Sequence, residues 1–147
     1  MLALVIIASC NKDKLQTKPY IKIKSEGPSQ VSNGGIFSLE FEYGDKEGDI
    51  SNTLFVQKIR TNSRKVPTLR DTFSLRMPDI PKFPQGNLEV TLYYQNHLIS
   101  AVNPPNLGGS PPVYENDSLI IRFVLRDKAG NTSDTVSTKP IVVSRNN

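Results

Sequence analysis

A chain of 147 residues with 37% apolar content is sized for one domain with a single core, and it is long enough to fold without disulfide staples. Its net charge of +4 and pI near 9.2 come from scattered lysines and arginines with no basic run and few aromatics among them. We therefore exclude nucleic acid as a partner and read the charge as solubility, with a loose attraction to an anionic membrane surface. One cysteine, Cys10, and one histidine, His97, exclude an internal disulfide and a thiolate zinc site.

The chain opens with a short oily run, Leu2 to Ala8. A spanning helix needs about 20 apolar residues, so this run does not cross a bilayer, but it suits the apolar region of an export signal. Asn11 to Pro19, "NKDKLQTKP", is polar and aperiodic, and is expected to be a flexible tether with a reach of roughly 15–20 Å. Between them, Ile7-Ala8-Ser9-Cys10 resembles the lipobox of bacterial lipoproteins: an aliphatic residue, two small residues, then the cysteine that becomes the first residue after cleavage. The resemblance implies a signal peptide over 1–9 and lipidation of Cys10 by diacylglycerol and a palmitate-type acyl chain. It implies a tether over 10–19, with the folded domain following over 20–147. Asn11 after the cysteine implies the outer membrane of a Gram-negative envelope. Two or more acyl chains hold firmly where one holds marginally, at about 0.8 kcal/mol per buried methylene. The pattern departs from the family in having no Lys or Arg before the apolar run. The competing reading is a buried N-terminal strand with an incidental cysteine.

From Tyr20 onward the hydrophobic period is two. "GGIFSLEFEY" sends Phe37, Leu39, Phe41 and Tyr43 to one face and Ser38, Glu40 and Glu42 to the other, as a half-buried strand requires. The same alternation places Phe73, Leu75 and Met77 together, then Leu88, Val90, Leu92 and Tyr94, then Leu119, Ile121, Phe123 and Leu125. "YIKIK", "TLFVQKI" and "KPIVVS" complete seven predicted strands, separated by Gly, Pro, Asn and Asp. The expected fold class is all-β, a seven-stranded antiparallel sandwich. Lys22 and Lys24 on the outer face of the first strand would discourage pairing if that strand lies at a sheet edge.

Late in the chain Asp117-Ser118, Ile121, Phe123, Leu125, Asp127 and Gly130 follow the spacing of the sixth strand of immunoglobulin-like domains. In that family Asp-Ser leads to Tyr-x-Cys and the strand ends in an Asp-x-x-Gly turn. Here Ile121 replaces the corner tyrosine, Phe123 replaces the cysteine, and there is no tryptophan. The resemblance therefore implies an immunoglobulin-like sandwich rather than an antibody-type domain, with Phe and Leu filling its centre. Asn96 to Asn116 is the longest stretch without strand patterning; its four prolines and paired glycines favour extended backbone, open to loop variability or to partner binding.

Two acidic turns carry the sharpest chemistry. In an immunoglobulin-like order, "YGDKEGDIS" and "RDKAGN" lie at the same end of the sandwich. Asp45, Glu47, Asp49, Asp127 and Asn131 would then offer the hard oxygens that calcium takes six to eight at a time. Turn formation explains the same residues: Gly48 and Gly130 suit positive φ, and Asp45 and Asp127 suit Asx turns. The spacing is not that of an EF-hand, whose glycine and glutamate positions fall on Ile50 and Val56.

Motifs for serine hydrolysis, phosphate cradling and zinc proteolysis are absent from the sequence, and His97 is expected at the surface where a strand ends. The sequence thus points to a non-enzymatic, lipid-anchored binding or structural module with an envelope protein or glycan as its partner. The alternative is a carbohydrate-active sandwich that binds glycans through Tyr93, Tyr114 and Phe83, or trims them with paired carboxylates about 5–10 Å apart.

Overall fold

The computed structural model describes residues 18–64, 70–78 and 84–145. Cys10, the apolar leader, most of the tether and Phe83 lie outside the described residues. The strands are β1 (Tyr20–Gly27), β2 (Gln30–Val31), β3 (Ile36–Gly44), β4 (Ile50–Arg60), β5 (Arg70–Arg76), β6 (Gln85–Tyr93), β7 (Asn106–Gly108), β8 (Val113–Tyr114), β9 (Asp117–Asp127), β10 (Val136–Ser137) and β11 (Ile141–Val143). One sheet has the order β1-β3-β6 and the other β2-β11-β9-β4-β5, with β10 also on β9; β7 and β8 form a separate ribbon.

The seven expected strands are all present, as β1, β3, β4, β5, β6, β9 and β11. The count of seven is nevertheless too low, because eleven strands form. The extra four are two or three residues long, too short for an alternation to register in the sequence. Pairing is antiparallel except that β2 lies parallel to β11.

The inward faces of the two sheets share one core. Phe37, Phe41 and Phe123 are fully buried within it, and the rings of Phe41 and Phe123 meet edge-on at 5.0 Å across the sheets. Each such ring contributes about 1.5–3 kcal/mol by leaving water, so phenylalanine fills the centre of the core. β1 is an edge strand with Lys22 and Lys24 exposed, as the charge placement anticipated.

Register fixes the two ends of the molecule. Tyr20 pairs with Gly44 at one end, where Ile50 also meets Asp127. Arg60 pairs with Leu119 towards the other. There, three buried cations hold alternate carbonyls of the segment that follows a single π-turn at Tyr94–Leu98: Lys58 donates to Leu98, Arg145 to Ser100, and Arg60 with Arg145 to Val102. The base of the 96–116 stretch is therefore clamped, and its middle is the β7–β8 ribbon.

Candidate metal centre

Two turns build the site at the Tyr20 end. After β3 the chain reverses through Gly48, at φ 64°, and the Gly48 amide donates to the Asp45 carbonyl at 3.1 Å. After β9 it reverses through Gly130, at φ 96°, and the Gly130 amide donates to the Asp127 carbonyl at 3.3 Å. Both glycines occupy backbone that a side chain would strain. The Lys128 amide then donates to the Asp49 carbonyl at 2.9 Å, tying one turn to the other.

The result is a cluster of Asp45, Asp49 and Asp127, with one carboxylate oxygen from each lying within 4.8 Å of the others. Asp45 is 3% exposed and Asp127 2%; Asp49 is half-buried. Turn chemistry takes up part of the set. Asp127 accepts from the backbone and side-chain nitrogens of Asn131 at 2.7 and 2.6 Å, and Asp45 Oδ2 accepts the Asp49 amide at 3.1 Å. Asp45 Oδ1 and Asp49 Oδ1 are buried without any hydrogen-bond partner.

Unpaired buried carboxylate oxygens are costly, and adjacent like charges add to that cost. The Asp49 carboxyl responds as expected. Its pKa is raised by a hydrogen bond shared with Asp45, then by burial and by the charges of Asp45 and Asp127. A divalent cation would satisfy both oxygens and offset the repulsion. An all-oxygen donor set suits calcium or magnesium rather than zinc, so the residues fit the expected ion.

Of the four acidic candidates, Asp45, Asp49 and Asp127 come together. Asn131 lies against Asp127 through its side-chain nitrogen, and Glu47 is exposed on the turn, outside the acidic cluster. The sequence could not separate Glu47 from its neighbours because all three acids sit in one turn; the conformation set by Gly48 decides which face inward.

The other expectations fare differently. His97 is half-buried rather than at the surface: its Nδ1 accepts the Tyr93 amide at 2.9 Å and its ring stacks on Phe73 at 5.7 Å. The π-turn folds it back over the edge strand. Tyr93 is 53% exposed at the end of β6, and Tyr114 is half-buried in β8, so they lie on different sheets. On the open face of the smaller sheet, Glu40 and Glu89 are direct cross-strand partners, in a depression of about 550 Å³ that Glu26 also lines.

No known sequence family matches the chain, and no curated protein does. Among solved structures it is similar to the sporulation control protein Spo0M of Bacillus subtilis, with a TM-score of 0.45 at 9% identity, over 88% of this chain and 50% of that one. It spans half the length of Spo0M. It is also similar to the soluble domain of PmoD from a Methylocystis species, with a TM-score of 0.37 at 16% identity over 86% of this chain and 90% of that one. A β-glucosidase from Listeria innocua in complex with gluconolactone gives 0.38 at 11% identity, over 86% of this chain and 16% of that one. At these scores none assigns a family or an activity.

Proposed function

We propose that the chain is a non-enzymatic, lipid-anchored envelope protein whose immunoglobulin-like sandwich serves as a binding or structural module, with calcium capping one end. The observation that carries the calcium reading is the pair of unpartnered buried oxygens on Asp45 and Asp49, facing a third carboxylate inside a closed double turn. The immunoglobulin-like reading is supported by strand order: the long strands cross between the two sheets from β3 to β4, from β5 to β6 and from β6 to β9, and a short first-strand continuation, β2, runs parallel to the last strand. The anchor reading rests on the lipobox-like run at Cys10. The chain reaches β1 beside Gly44, so a tether from an anchored Cys10 would enter at the calcium end and present the clamped 96–116 end away from the membrane.

Two measurements test this. Chelation followed by readdition of calcium should lower and then restore the melting temperature, since a ligand that binds only the folded state must stabilise it. An unchanged melting curve removes the ion. Labelling with an alkyne fatty acid in cells should mark the wild type and not Cys10→Ala; equal labelling of both, or of neither, removes the anchor.

The carbohydrate-active alternative has one supporting feature, the facing Glu40 and Glu89. Turnover of any glycan that Glu89→Gln abolishes would favour it.

A further inference from the structure

The two sheets present opposite chemistry to solvent. On the smaller sheet the central outward positions are Ser38, Glu40, Glu42, Asn87, Glu89 and Thr91, all polar. On the larger sheet the outward positions of β4 and β9 form three direct cross-strand pairs: Phe55 with Val124, Gln57 with Arg122, and Ile59 with Ile120. Leu54, Val56, Ile121, Phe123 and Leu125 face the core from the same strands. Two of the three outward pairs are therefore apolar and flank one polar pair, so this stretch is largely apolar on its outer face as well as its inner one, as in a sheet covered on two sides; among the described residues only the inner side packs against another sheet.

We propose that a second copy of this chain covers that face, in an isologous pair whose twofold axis runs along the strands between β4 and β9. The face is self-complementary about that line. Rotation about it sets Phe55 of one copy over Val124 of the other, Ile59 over Ile120, and Arg122 over the side-chain carbonyl of Gln57. The one charged group in the three pairs thereby gains an acceptor. Thr72 and Ser137, which flank Gln57 and Arg122 in register, come together as well. An axis across the strands would instead stack Arg122 on Arg122. No carboxylate lies in the three pairs to turn a like copy away, and two aligned sheets pack about 10 Å apart with interdigitated side chains. The central outward positions of the smaller sheet, polar throughout, offer no such apolar match.

Sedimentation of the full chain carrying Cys10→Ser, which keeps lipid out of the measurement, tests the proposal. Over about a hundredfold range of concentration the sedimentation coefficient is expected to shift from monomer to dimer, as for a modest interface. Phe55→Glu and Val124→Lys each replace a half-buried, outward side chain, so thermal melts should show both variants folded. Each alone should lose the dimer. Mixing the two should restore it, because the axis places residue 55 of one copy against residue 124 of the other. A chain that stays monomeric throughout, a dimer indifferent to both substitutions, or a mixture that fails to recover would each overturn the proposal.

Discussion

Arg60 and Asp117 form a buried ion pair, the Nε of Arg60 donating to Asp117 Oδ1 at 2.6 Å with side chains 2% and 0% exposed. Arg145 takes the other carboxylate oxygen, also at 2.6 Å. One carboxylate therefore balances two guanidinium groups, and through them it holds the carbonyls of Ser100 and Val102. Removing one partner of such a set leaves charge buried without compensation, at about 3–5 kcal/mol. Asp117→Ala is expected to lower the unfolding free energy from urea titrations by that order, and limited proteolysis should cut first between residues 98 and 104. A loss under about 1 kcal/mol would mean that the pair is no more than a surface bridge.

At the opposite end Asp49→Asn separates repulsion from ligation. In chelator, the variant loses a carboxylate whose pKa is raised by its bond to Asp45, by burial and by its charged neighbours. A raised carboxyl destabilises the fold once pH rises through the raised value, and the deficit is fully present at neutral pH. The cation-free variant should therefore melt above the cation-free wild type at pH 7. With calcium in excess the order should reverse, the wild type gaining about 2.7 kcal/mol at a hundred times its Kd. If the order stays the same with and without calcium, the three carboxylates do not form an ion site.

β4 shows where the sequence stops being legible. In "LFVQKIR", Leu54 and Val56 alternate inward as the pattern predicts, but the same register then carries Lys58 and Arg60 inward, 3% and 7% exposed, and Ile59 outward. From Leu54 to Arg60 the register is unbroken, so the period of two holds and the core residues at one end commit the cations at the other. Their partners, Asp71 and the Leu98 carbonyl for Lys58 and Asp117 and the Val102 carbonyl for Arg60, lie outside the strand and are invisible to local patterning. Asp45, Asp49 and Asp127 were legible because strand order alone brings their two turns to one end; the rejection of Glu47 required the turn's conformation. The outward apolar face of β4 and β9 was written in the sequence as runs such as "LII" and "FVL", and only the register shows which members face solvent.

Gly86 is a packing requirement of the strand that supports this end. It pairs with Tyr43, and a Cβ there would lie 2.5 Å from the tyrosine oxygen and 2.8 Å from Cζ. Gly86→Ala must displace a buried ring, and overpacking of this kind costs about 1–3 kcal/mol. Tyr43→Phe removes the first clash but not the second, so the double variant should recover part of the loss in a urea titration. Strict additivity of the two changes would show that Tyr43 and Gly86 are not in contact.

His97 supplies the pH dependence. Its pKa is lowered, first by burial and then by the Lys58 charge, and its Nδ1 must stay unprotonated to accept the Tyr93 amide. The unfolded chain therefore takes up a proton more readily than the folded one, and stability is lost as pH falls through the ordinary histidine value of about 6.5. The facing groups are the rings of Phe73 and Tyr93 and the Lys58 ammonium, which is itself paired with Asp71. Between pH 7.5 and 5.5, above the range in which ordinary carboxylates titrate, the wild type should lose stability. His97→Gln, whose amide oxygen can accept the same backbone hydrogen, should lose markedly less over that interval. Parallel curves for the two proteins in urea titrations would show that His97 keeps its ordinary proton affinity and that the turn at 94–98 does not depend on the neutral ring.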